Sequence, residues 1–117
     1  MKILMIINGS AYGVDSTYNA IRLAGNLAKR DGVEMTVFLM GDGVSAAMAG
    51  QKTPDGYYQL DSLLRVVARA DGGVILCCGT CLDARGISQE MLLPGASRST
   101  MDVLAEQTME AEKVLVF

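Results

Sequence analysis

Histidine is absent from the chain, which removes Ser-His-Asp and Cys-His catalysis, histidine metal sites and imidazole acid-base chemistry together. Any chemistry must use thiol, carboxylate, hydroxyl, amide or guanidinium groups. No cluster of lysine and arginine stands against the net charge of −3, which argues against nucleic acid and against a polybasic membrane contact. Long apolar runs are missing too. Ile3-Leu4-Met5-Ile6-Ile7 stops at Asn8-Gly9, too short for a signal-peptide core or a bilayer span, so a soluble cytoplasmic protein is expected. Nor can the cysteines form a disulfide framework. There are three, all between residues 77 and 81, and a reducing compartment would keep them free. Residues 1–117 contain no linker, repeat or low-complexity tract and read as one domain. Half of them are apolar and eight are methionine. A domain this small has limited interior, so some apolar surface is expected to meet other subunits.

Four apolar runs of strand length are present: Ile3 to Ile7, Met35 to Met40, Val74 to Cys78 and Val114 to Phe117. They are continuous rather than alternating, as in strands buried on both faces of a parallel sheet. Between them, Ala20, Leu23, Ala24, Leu27 and Ala28 follow helical spacing, as do Leu60, Leu63, Leu64, Val67 and Ala68. Met101, Leu104, Ala105, Thr108 and Met109 form a third such set, after a serine-rich stretch suited to capping. Strands alternating with helices predict a βαβ succession in a three-layer α/β/α sandwich of flavodoxin or Rossmann type.

In open parallel sheets, ligands bind where the strands end and the helices begin. Those ends carry Asn8-Gly9-Ser10, Gly41-Asp42-Gly43 and Cys78-Gly79-Thr80-Cys81. Asn8 and Asp42 are candidate binding residues, although polar residues also simply end strands. The loop from Asn8 to Ser16 lacks both the Gly-Lys-Ser/Thr of a P-loop and the GxGxxG of a dinucleotide site. Within it Tyr12 can pack or hydrogen-bond a ligand.

Cys77 and Cys78 are adjacent on a strand and so point to opposite faces. The apolar run makes Cys77 the structural one. Cys78 begins the turn, and Cys81 to Arg85 is suited to a helical turn. A thiol at that helix start, with the Arg85 guanidinium nearby, is the candidate nucleophile. Cys78-Gly79-Thr80-Cys81 is also a C-x-x-C, read as half a zinc site or a dithiol pair. Zinc needs four ligands, and three cysteines without histidine cannot supply them from one chain. No metal or other cofactor is implied.

These residues carry a resemblance. Asn8-Gly9 with Tyr12-Gly13, Phe38-Leu39-Met40 ending at Asp42, Gly50-Gln51-Lys52 through Gly56-Tyr57, Cys78-Gly79-Thr80-Cys81-Leu82-Asp83-Ala84-Arg85-Gly86-Ile87-Ser88, and Lys113 to Phe117 together resemble the DsrE-type sulfur-relay family. That family includes DsrE, DsrF, DsrH, TusB, TusC and TusD, and the likeness is greatest to its YchN-like branch. The resemblance implies a five-stranded parallel sheet, with a short extra strand near Leu92-Leu93, and a homo-oligomer, trimer or hexamer. It places the sulfur-carrying cysteine on Cys78, eight residues before Gly86. The function implied is carriage of sulfane sulfur as a persulfide, between donor and acceptor proteins. Cys81 is a possible resolving partner, and Arg85 and the loop amides, Gly79 among them, would stabilise the anion. Two alternatives stand beside it: a C-x-x-C dithiol reductase, and a non-catalytic oligomeric module binding a small anion or nucleotide, with Ala46 to Tyr58 as a cover. The Met and Ala content of Ser45 to Ala49 is expected to mark a subunit contact.

Overall fold

Three of the continuous apolar runs become the inner strands of one sheet, and the fourth, Val114 to Phe117, becomes an exposed edge strand. The computed structural model describes residues 1–117. Strands β1 (Lys2–Ile7), β2 (Glu34–Leu39), β3 (Val74–Cys78), β4 (Ala96–Ser99) and β5 (Lys113–Val116) pair in the order β4-β3-β2-β1-β5, all parallel. Helices α1 (Asp15–Ala28), α2 (Leu60–Arg69), α3 (Gly79–Ala84) and α4 (Met101–Glu110) connect them. The expected three-layer sandwich with five parallel strands is the fold observed.

Strand order decides how the helices distribute. The first three crossovers all step the same way across the sheet, so right-handed connection puts α1, α2 and α3 on one face. The last crossover returns past β1 and leaves α4 alone on the other. The core is correspondingly lopsided. Ile3, Met5, Ile7, Met35, Val37, Leu39, Ile75 and Cys77 point to the first face and join Ala20, Ile21, Leu64, Val67 and Leu82 in a cluster of 24 buried residues. On the α4 face only Leu4, Phe38 and Leu104 are buried together, with Ile6, Met40, Leu76 and Cys78 half-covered around them.

One expectation is corrected. The extra strand lies at Ala96–Ser99 and not near Leu92-Leu93. Pro94 follows Leu93 without an N–H to offer a ladder, and Gly95 turns the chain at φ 95°. Leu92 and Leu93 are buried, and Leu92 makes only an isolated antiparallel bridge to Met48. The stretch Ser45 to Ala49 buries Ala46 and Ala47 within its own chain and leaves Met48 half-buried and Ala49 exposed. It continues a 3-10 turn, Gly41–Ala47, whose Val44, Ala46 and Ala47 are buried within their own chain. Gln51 fastens that turn by donating its amide to the Ala46 and Met48 carbonyls at 3.0 and 2.8 Å. Exposed large apolar side chains include Val114, Val116 and Met101. No helix is long and apolar enough to cross a membrane.

The 3-10 turn sits directly on the end of β1, and the contact requires glycine. A Cβ at Gly43 would lie 2.3 Å from the Ile7 carbonyl oxygen. Gly43→Ala is therefore expected to destabilise the protein by about 1–3 kcal/mol, the usual cost of overpacking. Urea denaturation measures it, and an unchanged midpoint would contradict the close approach.

Candidate functional site

The cysteine loop is built where β3 runs out. Cys77 points into the main core and is fully buried. Burial, with a smaller contribution from neighbouring Cys78, pushes its thiol up to about 12, so it is a packing group and a poor nucleophile. Cys78 is half-buried on the other face and stands at the N-cap of α3. Its Sγ accepts the Cys81 backbone N–H at 3.3 Å and lies 3.3 Å from the Thr80 hydroxyl. Glycine fits closely at the next position, Gly79, where a Cβ would lie 3.0 Å from Arg98 Nη2 and 3.1 Å from the Ser99 carbonyl oxygen.

These contacts set the proton's position. Burial pushes Cys78 up, but hydrogen bonds from the Cys81 thiol, the Thr80 hydroxyl and the Cys81 and Thr80 amides outweigh it, leaving Cys78 below the ordinary thiol value. Cys81 moves up instead, through burial and through the bond it donates to Cys78. The Gly41 N–H, 3.2 Å from Cys81 Sγ, and the Arg85 charge only partly offset that rise. The two shifts favour the anion on Cys78 and the proton on Cys81.

Arg85 is not placed against Cys78. Its Nε and Nη2 donate to Asp42 Oδ1 at 3.1 and 2.8 Å, and its Nη1 donates to the Cys81 carbonyl at 3.0 Å. It straps the end of α3 to the turn after β2, and its charge acts on Cys81. The guanidinium beside Cys78 belongs to Arg98, on β4, which donates to both Asp83 oxygens at 3.0 and 3.1 Å and to the Gly79 carbonyl at 3.4 Å. Asp83 holds Arg98 above the usual arginine value, and Cys78 adds to this. Thr80, Asp83 and Arg98 were thus missed as site residues. Asp83 stands inside the cysteine motif, whereas Arg98 lies on a short polar strand that leaves no periodic signal.

Asn8 and Tyr12 have partners other than the thiols. The Asn8 amides, backbone and side chain, donate to the Phe117 carbonyl at 3.0 and 3.2 Å. The Tyr12 hydroxyl meets Gln51 and accepts the Leu60 N–H at 3.3 Å, while its ring stacks on Tyr58 at 5.9 Å. The three strand-end loops do converge, in series. The first reaches the second through Ala11 N–H on Ser45 Oγ at 3.1 Å, and the second reaches the third through Gly41 N–H on Cys81.

Beside Cys78, on the α4 side, lies a cleft of about 310 Å³ walled by Phe38, Met40 and Met101 and edged by Thr80, Arg98 and Thr100. A larger groove of about 450 Å³ between α1 and α2 is shallow and carries no nucleophile. No group of three or more Cys, Asp or Glu side chains is disposed to hold a metal ion.

A parallel sheet with an amide-capped thiol at the end of its third strand defines a small α/β protein organised around a dithiol loop. The chain belongs to the DsrE/DsrF-like family, whose sequence model matches residues 1–117. It is 38% identical over 117 residues to protein YchN of Escherichia coli, covering 99% of this chain and 98% of that one. It is 33% identical to the uncharacterized protein MJ0989 of Methanocaldococcus jannaschii, with each chain covered in full, 100%. The crystal structure of YchN from E. coli superposes with a TM-score of 0.92 at 36% identity, covering 100% of this chain and 99% of that one. A Methanobacterium thermoautotrophicum protein of unknown function shares the fold, with a TM-score of 0.68 at 19% identity and 97% of each chain covered.

The proton assignment is testable. Brief alkylation of the native protein with iodoacetamide, read by peptide mass spectrometry, is expected to label Cys78 first and Cys77 last. Cys81→Ala removes a donor to the thiolate, so the pH-rate profile of Cys78 is expected to move upward and its neutral-pH rate to drop about tenfold for each pH unit moved. A profile that stays in place would put the proton elsewhere.

Proposed function

We propose that the protein carries sulfane sulfur as a persulfide on Cys78 and passes it to an acceptor thiol, which makes it a sulfurtransferase in the carrier sense. The observation that carries the reading is the half-exposed Cys78 sulfur at the mouth of a cleft, where it accepts the Cys81 amide and lies against the Thr80 hydroxyl, both of which favour its ionisation. Membership of the DsrE/DsrF-like family supports it.

In the loading step the Cys78 thiolate attacks the outer sulfur of a donor persulfide. A sulfur–sulfur bond forms at Cys78 as the donor's bond breaks, and the donor thiolate leaves with the electron pair. Delivery is the same exchange with an acceptor thiolate, so no oxidant or reductant is consumed. Donor and acceptor are taken to be proteins. Cys81 offers a second outcome, favoured by its amide and thiol both facing Cys78. Its thiolate attacks the inner sulfur, giving the Cys78–Cys81 disulfide and releasing hydrosulfide. Free thiols suit a reducing compartment, and the cytoplasm is where we place the protein.

Incubation with a cysteine desulfurase and cysteine is expected to add one sulfur atom at Cys78, detectable by intact-mass and peptide analysis. The adduct should be absent in Cys78→Ser and retained in Cys81→Ser. Failure of the wild-type chain to load from persulfide donors would remove the carrier reading, and loss of loading in Cys81→Ser would favour the dithiol reading.

We also propose a trimer or hexamer, supported by the apolar surface left uncovered at Val114, Val116 and Met101. Light scattering at micromolar concentration is expected to report one of these masses. A monomer would refute the assembly.

A further inference from the structure

Helix α3 has six residues, Gly79–Ala84, far below the length at which a helix is stable on its own. Its pose must be imposed from outside, and the pose matters because its first turn supplies the Cys81 amide to Cys78. One side chain touches both ends of it. From β4, Arg98 donates Nη2 to the carbonyl of Gly79, the first residue of α3, and grips the carboxylate of Asp83, in its last turn, with Nη1 and Nη2. Arg98 is itself fixed, since its residue pairs with Cys77 across the sheet and its backbone N–H donates to Gln89 Oε1 at 3.0 Å. Gly79 leaves the guanidinium room, since a Cβ there would stand 3.0 Å from Nη2.

We propose that Arg98 and Asp83 form a clamp that holds α3 in the one pose that lays its amide and the Cys81 thiol on the Cys78 sulfur. Arg98 is then a positioning residue for the thiol chemistry proposed above, and the inference rests on that reading for its purpose. Lysine cannot replace it, because an ammonium lacks the planar fork that engages a carboxylate and a carbonyl together.

The charged and titratable groups around Cys78 are Cys81 and Asp83 from α3, Arg98 from β4, Cys77 behind it on β3, and the Arg85–Asp42 pair beyond Cys81. Among these, one variant separates holding from charge by sign. Asp83→Ala deletes a negative charge near the thiolate, which by Coulomb's law alone favours ionisation of Cys78. It also releases the clamp, which withdraws donors and disfavours ionisation. Alanine is the best helix former, so α3 is not weakened by propensity.

The test is the pH-rate profile of Cys78 alkylation by neutral iodoacetamide in the full chain, with circular dichroism to confirm the fold. Asp83→Ala and Arg98→Gln are each expected to move the profile upward and to slow neutral-pH labelling by about tenfold for a displacement of one unit. Rates at high pH, where every Cys78 is ionised, should be no lower than wild type, and Arg98→Lys should not restore the profile. A downward or absent movement in Asp83→Ala would overturn the clamp, as would full rescue by lysine. If Arg98→Gln fails to fold, the sign in Asp83→Ala decides alone. Alkylation needs no sulfur donor, so the two readings fail separately. A protein that never loads sulfur but shows the upward movement loses the carrier role and keeps the clamp, whereas normal loading without the movement loses the clamp only.

Discussion

A sulfur anion at the end of a strand needs hydrogen-bond donors, and a chain without histidine must find them in amides, hydroxyls and other thiols. That requirement organises the whole carboxyl edge of this sheet. The first turn of α3 provides the Cys81 amide, Thr80 provides a hydroxyl, and Cys81 holds its proton toward Cys78 while its own sulfur accepts the Gly41 amide of the next loop. None of these donors carries a full charge. The two cations nearby are committed to carboxylates, Arg85 to Asp42 and Arg98 to Asp83. Exposed ion pairs of this kind contribute little to global stability. Their effect is geometric, since each fixes one part of a helix too short to fix itself.

The lopsided core follows from the same topology that places the thiols. Three helices cover one face and bury Cys77 there, so the strand's alternation delivers Cys78 to the thinly covered side. Burial in a core of 24 residues and half-burial beside a cleft are thus set for two neighbouring cysteines by a single pleat. The chemistry separates them as the packing does: one thiol is raised to about 12 by burial, and the other is lowered by its donors.

Much of this was legible in the chain. Continuous apolar runs located four strands to within a residue or so; three are inner strands, whose buried residues leave no polar gaps, and the fourth, β5, is apolar although it lies exposed at the edge. Helical spacing located α1, α2 and α4. The fourth strand escaped because Ala96-Ser97-Arg98-Ser99 is a polar sheet edge, while the apolar Leu92-Leu93 upstream is buried without joining the ladder. The site was legible at its centre and not at its rim. Strand ends named the cysteine loop, but Arg85 lies seven residues, about two turns, beyond Cys78. It reaches Cys81, four residues away, where Asp42 takes it. Arg98 arrives from a different strand, so no local pattern could pair it with Asp83. The burial of Ala46 and Ala47 was not legible, because a 3-10 turn folded into its own core has no periodicity to announce it.

Strand β4 has one more role, set by where it lies. It is the outermost strand on its side of the sheet, with a rim of backbone groups that a strand from another molecule could extend. Four residues is a short template, and Arg98 puts a long charged side chain in the middle of it. Short, charged edges are how β-proteins discourage runaway strand-to-strand growth. The guanidinium that grips α3 therefore also blunts the sheet's open margin, and its replacement by an uncharged β-branched residue would bare a surface prone to aggregation.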